Sequence, residues 1–160
     1  MSAERRLDAH DLPPTHLKLE GVYPGLEFDE TVFGPITRGD IVLYAEASGD
    51  DNPIHQDEEY ARASGAPTVF AMGMLPAGLL ATALSRWVGD PLHIRRYKVR
   101  FTTRVWPGDE VVCSGRVVSI EGNVVKVTIS AARRGKGPEE LNLPEVENAI
   151  VGEADIELPE

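Results

Sequence analysis

The sequence contains a single cysteine, Cys113, and few basic residues for its length. One cysteine excludes an intramolecular disulfide and any metal cluster with several cysteine ligands, and it is natural in a reducing compartment. We expect Cys113 to fill core space. The chain has 16 Lys and Arg against 26 Asp and Glu, a formal net charge of −10, which argues against a protein that mainly neutralises nucleic-acid phosphates.

The sequence also lacks a hydrophobic run long enough to cross a membrane. Its most apolar stretch, residues 72–84, includes two glycines and a proline and is shorter than a membrane span requires. The N-terminal residues contain no apolar block of the kind that a secretory signal needs. We therefore expect a cytoplasmic location, with neither a membrane anchor nor a membrane partner.

The length and hydrophobic content of the chain are sufficient for one domain. Its 160 residues, 42% of them hydrophobic, support a core without disulfides or structural metal. Residues 1–24 are polar and rich in proline and show no sustained periodicity. We predict an extended N-terminal arm over residues 1–24 and a single domain over residues 25–160.

Helix signals occupy the first half of the domain. After a possible strand at 26–33, Thr37 is predicted to cap the N-terminus of a helix, and the Asp40 side chain is predicted to bond back to the Thr37 backbone. Gly49 is predicted to end this helix. A second short helix is expected from Asp57 to about Ser64.

The apolar segment at 72–88 predicts a third helix. It should begin near Gly73 or Met74, because Pro76 is tolerated only in a first helical turn. Apolar residues lie on nearly every side of it, so we expect other structure to enclose this helix.

The second half of the domain has the alternating pattern of strands. Strands are predicted at 97–105, 110–121, 124–132 and near 148–158, with tight turns at 106–109 and 122–123 and a mobile basic loop at 133–138. The layout predicts an α+β fold in which an antiparallel sheet covers the buried helix. Its open edges favour completion by a partner.

Asp50 and His55 are the residues with the clearest chemical potential. They lie five residues apart on a loop stiffened by Pro53, so an acid and an imidazole could hold one water molecule between them. The alternative is a local turn in which Asp50 caps backbone amides and His55 has only a structural contact. A metal site with Asn52 as a further ligand is disfavoured, because no second His or Glu stands at metal-site spacing.

The same loop carries a recognisable motif. Residues 47–57 read ASGDDNPIHQD and residues 73–75 read GML, which resembles the hydratase motif of the MaoC-like family of (R)-specific enoyl-thioester hydratases and dehydratases. The likeness covers about residues 26–130, including RWVGDP at 86–91. Within the family it is nearest to the catalytic, beta-type subunits of mycobacterial (3R)-hydroxyacyl-ACP dehydratases. The family has the hotdog fold, a curved antiparallel sheet wrapped around one long helix.

The resemblance implies roles for individual residues. Asp50 and His55 fall on the family's catalytic pair, which holds the water that adds to C3 of a trans-2-enoyl thioester, and no cofactor is expected. Gly73 falls on the glycine whose backbone N–H faces the thioester carbonyl, while Asn52 and Pro53 would support the loop. Met72 stands where the family usually has His, and we expect this departure to alter the shape or polarity of the pocket.

Two further groups of residues have open interpretations. Small residues of the third helix either leave room for an acyl chain or allow close packing on the sheet: Ala77, Gly78, Ala81 and Ala83. Basic residues concentrate near the first long strand and either meet CoA phosphates or an acidic carrier protein or form a solvated face: Arg95, Arg96, Lys98, Arg100 and Arg104.

The function expected from the resemblance is an (R)-specific hydratase or dehydratase acting on a CoA or carrier-protein thioester. The chain would work as a homodimer or as a heterodimer with another hotdog subunit. Two alternatives stay open: a thioester-binding subunit that is inactive without its partner, and a hotdog acyl-CoA thioesterase. The Asp50 to His55 motif argues against the thioesterase.

Overall fold

The computed structural model describes residues 17–160. Most of the predicted N-terminal arm therefore lies outside the described residues. Its last part contains one 3-10 turn at Leu19–Gly21, and Leu17 and Val22 pack against the main core. The boundary at residue 25 stays a prediction.

Five strands form one antiparallel sheet. They are β1 (Thr31–Phe33), β2 (Ile94–Phe101), β3 (Glu110–Glu121), β4 (Val124–Arg134) and β5 (Val146–Glu157). Their order across the sheet is β1-β3-β4-β5-β2. The long strands β3, β4 and β5 form a meander, and the turn between β3 and β4 contains Gly122 with a positive φ of 63°.

Three helices precede the long strands: α1 (Arg38–Ser48), α2 (Glu58–Ala63) and α3 (Met74–Val88). The capping box predicted for α1 is confirmed, because Thr37 Oγ1 accepts from Asp40 N at 3.0 Å and Asp40 Oδ2 accepts from Thr37 N at 2.7 Å. Gly49 ends α1 in the left-handed region, with φ of 76°. These local bonds fix where α1 stops and where the Asp50 loop begins.

Helix α3 packs against the sheet and contacts β2, β3, β4 and β5. Its buried residues form much of the core: Leu75, Pro76, Ala77, Leu80, Ala83, Leu84, Trp87 and Val88. Tyr97 of β2 ties the helix to the sheet, since its hydroxyl donates to Ala77 O at 2.6 Å. The α+β arrangement of an antiparallel sheet around a long helix is confirmed. The prediction that other structure encloses α3 is correct only for the side that faces the sheet, because Met74 and Gly78 are exposed to solvent.

The predicted strand at 97–105 ends earlier than the alternation indicates. β2 stops at Phe101, and Phe101 is 51% exposed although its position in the pattern predicted a buried side chain. The regular ladder ends there because the N–H groups of Thr102 and Thr103 both donate to Ala149 O. The chain then leaves the sheet edge.

The prediction of a mobile loop at 133–138 is wrong at its start. Arg133 and Arg134 are the last residues of β4, and the Arg133 side chain is completely buried in an ion pair with Asp109. The partner lies 24 positions away, so no local pattern indicates it. None of the helices within residues 17–160 is both long enough and apolar enough to span a membrane.

Candidate active site

The loop after α1 is organised by two side chains that accept backbone hydrogen bonds. Asp50 Oδ1 accepts from Asn52 N at 3.3 Å, and Asn52 Oδ1 accepts from Ile54 N at 3.1 Å. Residues Pro53–His55 form one 3-10 turn. The local capping role considered for Asp50 is therefore present. Its second oxygen, Oδ2, accepts no hydrogen bond from residues 17–160 and is available to bind a water molecule.

His55 is held by a backbone carbonyl. Its Nδ1 lies 2.7 Å from Phe70 O, and its ring meets the edge of the Phe70 ring with centroids 5.0 Å apart. A carbonyl oxygen only accepts hydrogen bonds, so Nδ1 carries the proton in this contact. In the neutral imidazole the lone pair then lies on Nε2, which can take a proton from a bound water.

Gly73 caps the N-terminus of α3. Its φ of −57° and ψ of −32° are helical, and the residue is exposed. The first N–H groups of a helix have no partner within the helix, and the dipole of a 15-residue helix makes this end positive. This is a suitable place for an oxygen that gains negative charge.

The contact between His55 and Phe70 connects the loop to the start of α3. Phe70 lies three residues before Gly73, and between them the backbone N–H of Ala71 donates a hydrogen bond to Val105 O at 2.9 Å. His55 is thus in contact with the segment that leads into Gly73. Among the residues that the structure describes, no hydrogen bond joins Asp50 to His55, so their convergence on one water stays a prediction.

Met72 and Met74 have opposite environments. Met72 is 2% exposed and belongs to the main core, whereas Met74 is 57% exposed. Met72 therefore fills space behind Gly73. Core filling explains Met72 and leaves Met74 unexplained within the described chain.

The sequence reasoning misses Phe70 and Trp106, and it places Arg104 only in the basic group near the first long strand. The guanidinium carbon of Arg104 lies 4.3 Å from the centroid of the Phe70 ring and 6.0 Å from that of Trp106. The Phe70 and Trp106 rings meet edge to face at 5.7 Å. Contacts of this kind join irregular segments 15 or more residues from His55, so no periodic signal reveals them.

The basic residues of the first long strand are partly neutralised by β5. Arg95 pairs with Glu157 at 3.0 Å and Arg96 pairs with Glu153 at 2.9 Å, both at exposed positions. Lys98 and Arg100 are exposed further along β2. The solvated-face interpretation accounts for the first two residues.

The small residues of α3 also separate into two groups. Ala77 and Ala83 are buried against the sheet, which is the close-packing alternative, while Gly78 is exposed.

Two surface cavities, of about 310 and 440 Å³, are lined by residues outside the candidate site. Among residues 17–160, no three His, Cys, Asp or Glu side chains are grouped to hold a metal ion.

Comparison with known proteins places these features in a family. A model of the MaoC like domain matches residues 22–135. Peroxisomal enoyl-CoA hydratase 2 of Arabidopsis thaliana is 33% identical over 84 residues, 51% of this chain and 27% of that protein. An (R)-specific enoyl-CoA hydratase of Rhodospirillum rubrum is 32% identical over 87 residues, 53% of this chain and 60% of that protein. The matches thus span less than two thirds of these relatives.

Solved structures agree with the fold. A MaoC-like dehydratase is 30% identical with a TM-score of 0.78, and the match covers 95% of this chain and 45% of that one. The ChsH1-ChsH2 complex from Mycobacterium tuberculosis is more distant, at 19% identity with a TM-score of 0.69 over 86% of this chain and 98% of that one, and it shows the fold alone. Since the family model matches more than two thirds of its residues, the chain belongs to the MaoC-like domain family.

Proposed function

We propose that the protein is an (R)-specific hydro-lyase that interconverts trans-2-enoyl and (3R)-3-hydroxyacyl thioesters. The observation that carries the proposal is the hydrogen bond from His55 Nδ1 to Phe70 O at 2.7 Å, because it leaves Nε2 as a proton acceptor. Relatives named enoyl-CoA hydratase and (R)-specific enoyl-CoA hydratase support the reaction class. The thioester carrier is CoA or an acyl carrier protein.

In the proposed mechanism, a water molecule lies between Asp50 and His55. His55 Nε2 removes a proton as the water oxygen bonds to C3, while the Asp50 carboxylate orients the water. The proton taken by His55 then passes to C2, so both side chains return to their starting state. The electron pair of the C2–C3 double bond moves toward the thioester carbonyl. The backbone N–H of Gly73 then donates to the enolate oxygen, where the N-terminus of α3 stabilises the developing charge.

The test follows the loss of enoyl-thioester absorbance with crotonyl-CoA and longer enoyl-CoAs, together with chiral analysis of the 3-hydroxyacyl product. We expect the (3R) product, and we expect Asp50→Asn and His55→Ala each to fold normally and lose about 10²- to 10⁴-fold in kcat. Full activity in either variant would contradict its assigned role.

The chain offers a matched control for these variants. Asp90-Pro91-Leu92-His93 repeats the local geometry of the Asn52 to His55 turn, since Pro91–His93 is also a 3-10 turn and Asp90 Oδ1 accepts from Leu92 N at 2.8 Å. Asp90→Asn and His93→Ala should keep full activity. A loss in the control pair would indicate that the disturbed turns themselves, and not the catalytic groups, lower the rate.

A partner-dependent subunit is the second candidate. It is favoured by the outward side of α3, where Met74, the residue after Gly73, is 57% exposed. A second hotdog subunit, identical or different, would cover this side. Light scattering gives the oligomeric state, and restoration of activity by a co-expressed MaoC-like chain would support the heterodimer.

The thioesterase alternative is tested in the same assay. Release of free CoA thiol from a saturated acyl-CoA would support it, whereas the hydro-lyase conserves the thioester. A cytoplasmic location stays a prediction.

A further inference from the structure

Asp109 and Arg133 form an ion pair that is removed from solvent. Their side chains are 1% and 0% exposed, and the contact is bidentate, with Arg133 Nε 2.7 Å from Oδ2 and Nη2 2.9 Å from Oδ1. Two further donors are used, since Nη1 donates to Pro144 O at 2.8 Å and Nη2 donates to Gly135 O at 2.6 Å. Four of the five guanidinium N–H groups are therefore bonded in one geometry.

Stability alone is a poor explanation for such a pair. Burying two charges costs solvation, and replacement by apolar side chains of similar volume is often neutral or stabilising. The surroundings are nevertheless shaped for it, because a β-carbon on Gly135 would overlap Asp109 Oδ1. What an apolar replacement cannot provide is the fixed direction of the hydrogen bonds from Asp109.

One of those hydrogen bonds holds Trp106, which is connected to His55 by contacts through Phe70. Asp109 Oδ2 also accepts from Trp106 N at 2.9 Å, which closes the turn between β2 and β3. The Trp106 ring packs edge to face on Phe70, and Phe70 O accepts from His55 Nδ1. The turn thus contacts, through the Trp106 ring, the residue whose carbonyl selects the His55 tautomer.

The backbone of the same turn supports the other candidate group. Asp109 O accepts from Ile36 N at 2.8 Å, and Gly108 N donates to Ile36 O at 2.7 Å. Ile36 is completely buried and directly precedes Thr37, the cap of α1. Asp50 follows at the other end of that helix.

We infer that Asp109 and Arg133 are positioning residues for the proposed catalytic groups. Their ion pair fixes the turn at 106–109, and that turn holds the Nδ1–H tautomer of His55 through Phe70 and sets the start of α1. The inference depends on the proposed function only for its kinetic consequence, because the tautomer of His55 is observable without substrate.

The test compares two neighbouring ion pairs in the same sheet. Asp109→Asn/Arg133→Met removes the buried pair without leaving a lone charge. Glu110→Gln/Arg134→Met removes the pair one residue further along β3, whose side chains are 36% and 40% exposed. Thermal unfolding and circular dichroism establish that both double variants are folded. Gly135→Ala displaces Asp109 without any change of charge and gives a third, independent perturbation.

The first measurement is the histidine side-chain ¹⁵N–¹H NMR spectrum, with the His55 signals identified by their loss in His55→Ala. We expect a protected Nδ1–H in the unaltered protein and in the Glu110/Arg134 variant. In the Asp109/Arg133 variant and in Gly135→Ala we expect faster proton exchange and a mixed tautomer. An unchanged His55 signal in the folded buried-pair variant would overturn the inference.

The second measurement separates kcat from KM for the preferred enoyl thioester. The buried-pair variant should lose about 10- to 100-fold in kcat with little change in KM, because misplacement of a reacting group by about 1 Å costs on that order. Arg133→Lys, which keeps the charge but not the bidentate contact, should recover part of this loss. If the unaltered protein acts on no thioester while the NMR changes appear, the proposed function fails and the positioning inference stands.

Discussion

The ring of Phe101 lies against Gly73 so closely that a β-carbon added to Gly73 would be 2.8 Å from Phe101 Cδ1. The contact joins the end of the edge strand β2 to the first turn of α3. It leaves room for glycine alone at the place where the backbone N–H is proposed to meet the thioester oxygen. Phe101 is half exposed, so the space beyond it is open.

Substitution of Gly73 should therefore act through Phe101. Gly73→Ala keeps the backbone N–H and suits the helical φ of −57°, so we expect it to retain the thermal stability of the protein. Displacement of the ring into the candidate site should lower kcat/KM for crotonyl-CoA by about 10-fold or more. The double variant Gly73→Ala/Phe101→Leu should recover part of the activity. Additive losses in the double variant would show that the two residues act independently.

The Thr37 capping box should contribute measurably to stability. Thr37→Ala removes the acceptor for Asp40 N, and a loss of this kind typically costs about 1 kcal/mol in the free energy of unfolding. Urea denaturation measures the change, and Thr37→Ser is the matched control because it keeps the hydroxyl. Equal stability of the Ala and Ser variants would contradict the prediction.

Tyr97 should make the protein less stable at high pH. Burial, with a smaller contribution from Cys113, raises the pKa of Tyr97 from 10.0 to about 12, and the neutral hydroxyl donates to Ala77 O. The folded protein holds this proton more tightly than the unfolded chain. The contribution of Tyr97 is therefore fully present below pH 10 and is lost as the pH rises toward 12.

The comparison is between the unaltered protein and Tyr97→Phe in urea unfolding at several pH values. The Phe variant lacks the ionisable hydroxyl, so its free energy of unfolding should fall less steeply between pH 10 and 12. Parallel curves would show that the Tyr97 hydroxyl is not the cause.

Cys113 should resist thiol reagents in the folded protein. It is completely buried, and burial raises the pKa of its thiol from 9.0 to about 12, so little thiolate exists at pH 8. We expect labelling by a maleimide or a disulfide reagent to follow the unfolding rate. Urea should accelerate it to the rate of a free thiol. Fast labelling without denaturant would contradict the burial of this side chain.

Local signals in the sequence predict much of the fold because their partners are close along the chain. Thr37 and Asp40 are three residues apart, and Gly49 alone provides the left-handed stop of α1. The hairpin between β3 and β4 is likewise set by its own turn residues. Such contacts need no knowledge of the remaining chain, so α1 and this hairpin appear close to where the patterns predict them.

Long-range contacts explain where the sequence reasoning failed. The alternation continues past Phe101, but the ladder with β5 becomes irregular at Ala149, which is far away in sequence. The sequence predicts that Arg133 belongs to a solvated basic loop, because nothing near it in the chain indicates its buried partner Asp109. A buried charge is recognised only together with its partner, and here 24 residues separate the two.

The candidate site also combines residues that a local motif identifies with residues that only long-range contacts reveal. The motif at residues 50–55 identifies Asp50 and His55, and the Pro76 rule predicts the start of α3 beside Gly73. The tautomer of His55 depends on Phe70, and the support beneath Phe70 depends on Trp106 and Asp109. None of these three follows from a spacing, because each acts through a contact between irregular segments.

The edge strand β2 has a consequence for how the protein behaves when it is concentrated. Within the described residues, β2 pairs only with β5, so its other side presents free backbone donors and acceptors. Such edges recruit strands from other molecules and start aggregation unless charge interrupts them. Lys98 and Arg100 stand exposed on this strand, so chains that meet edge to edge in parallel register would bring like charges together. The same basic residues should thus keep the purified protein dispersed in dilute salt and make it prone to precipitate when salt screens them.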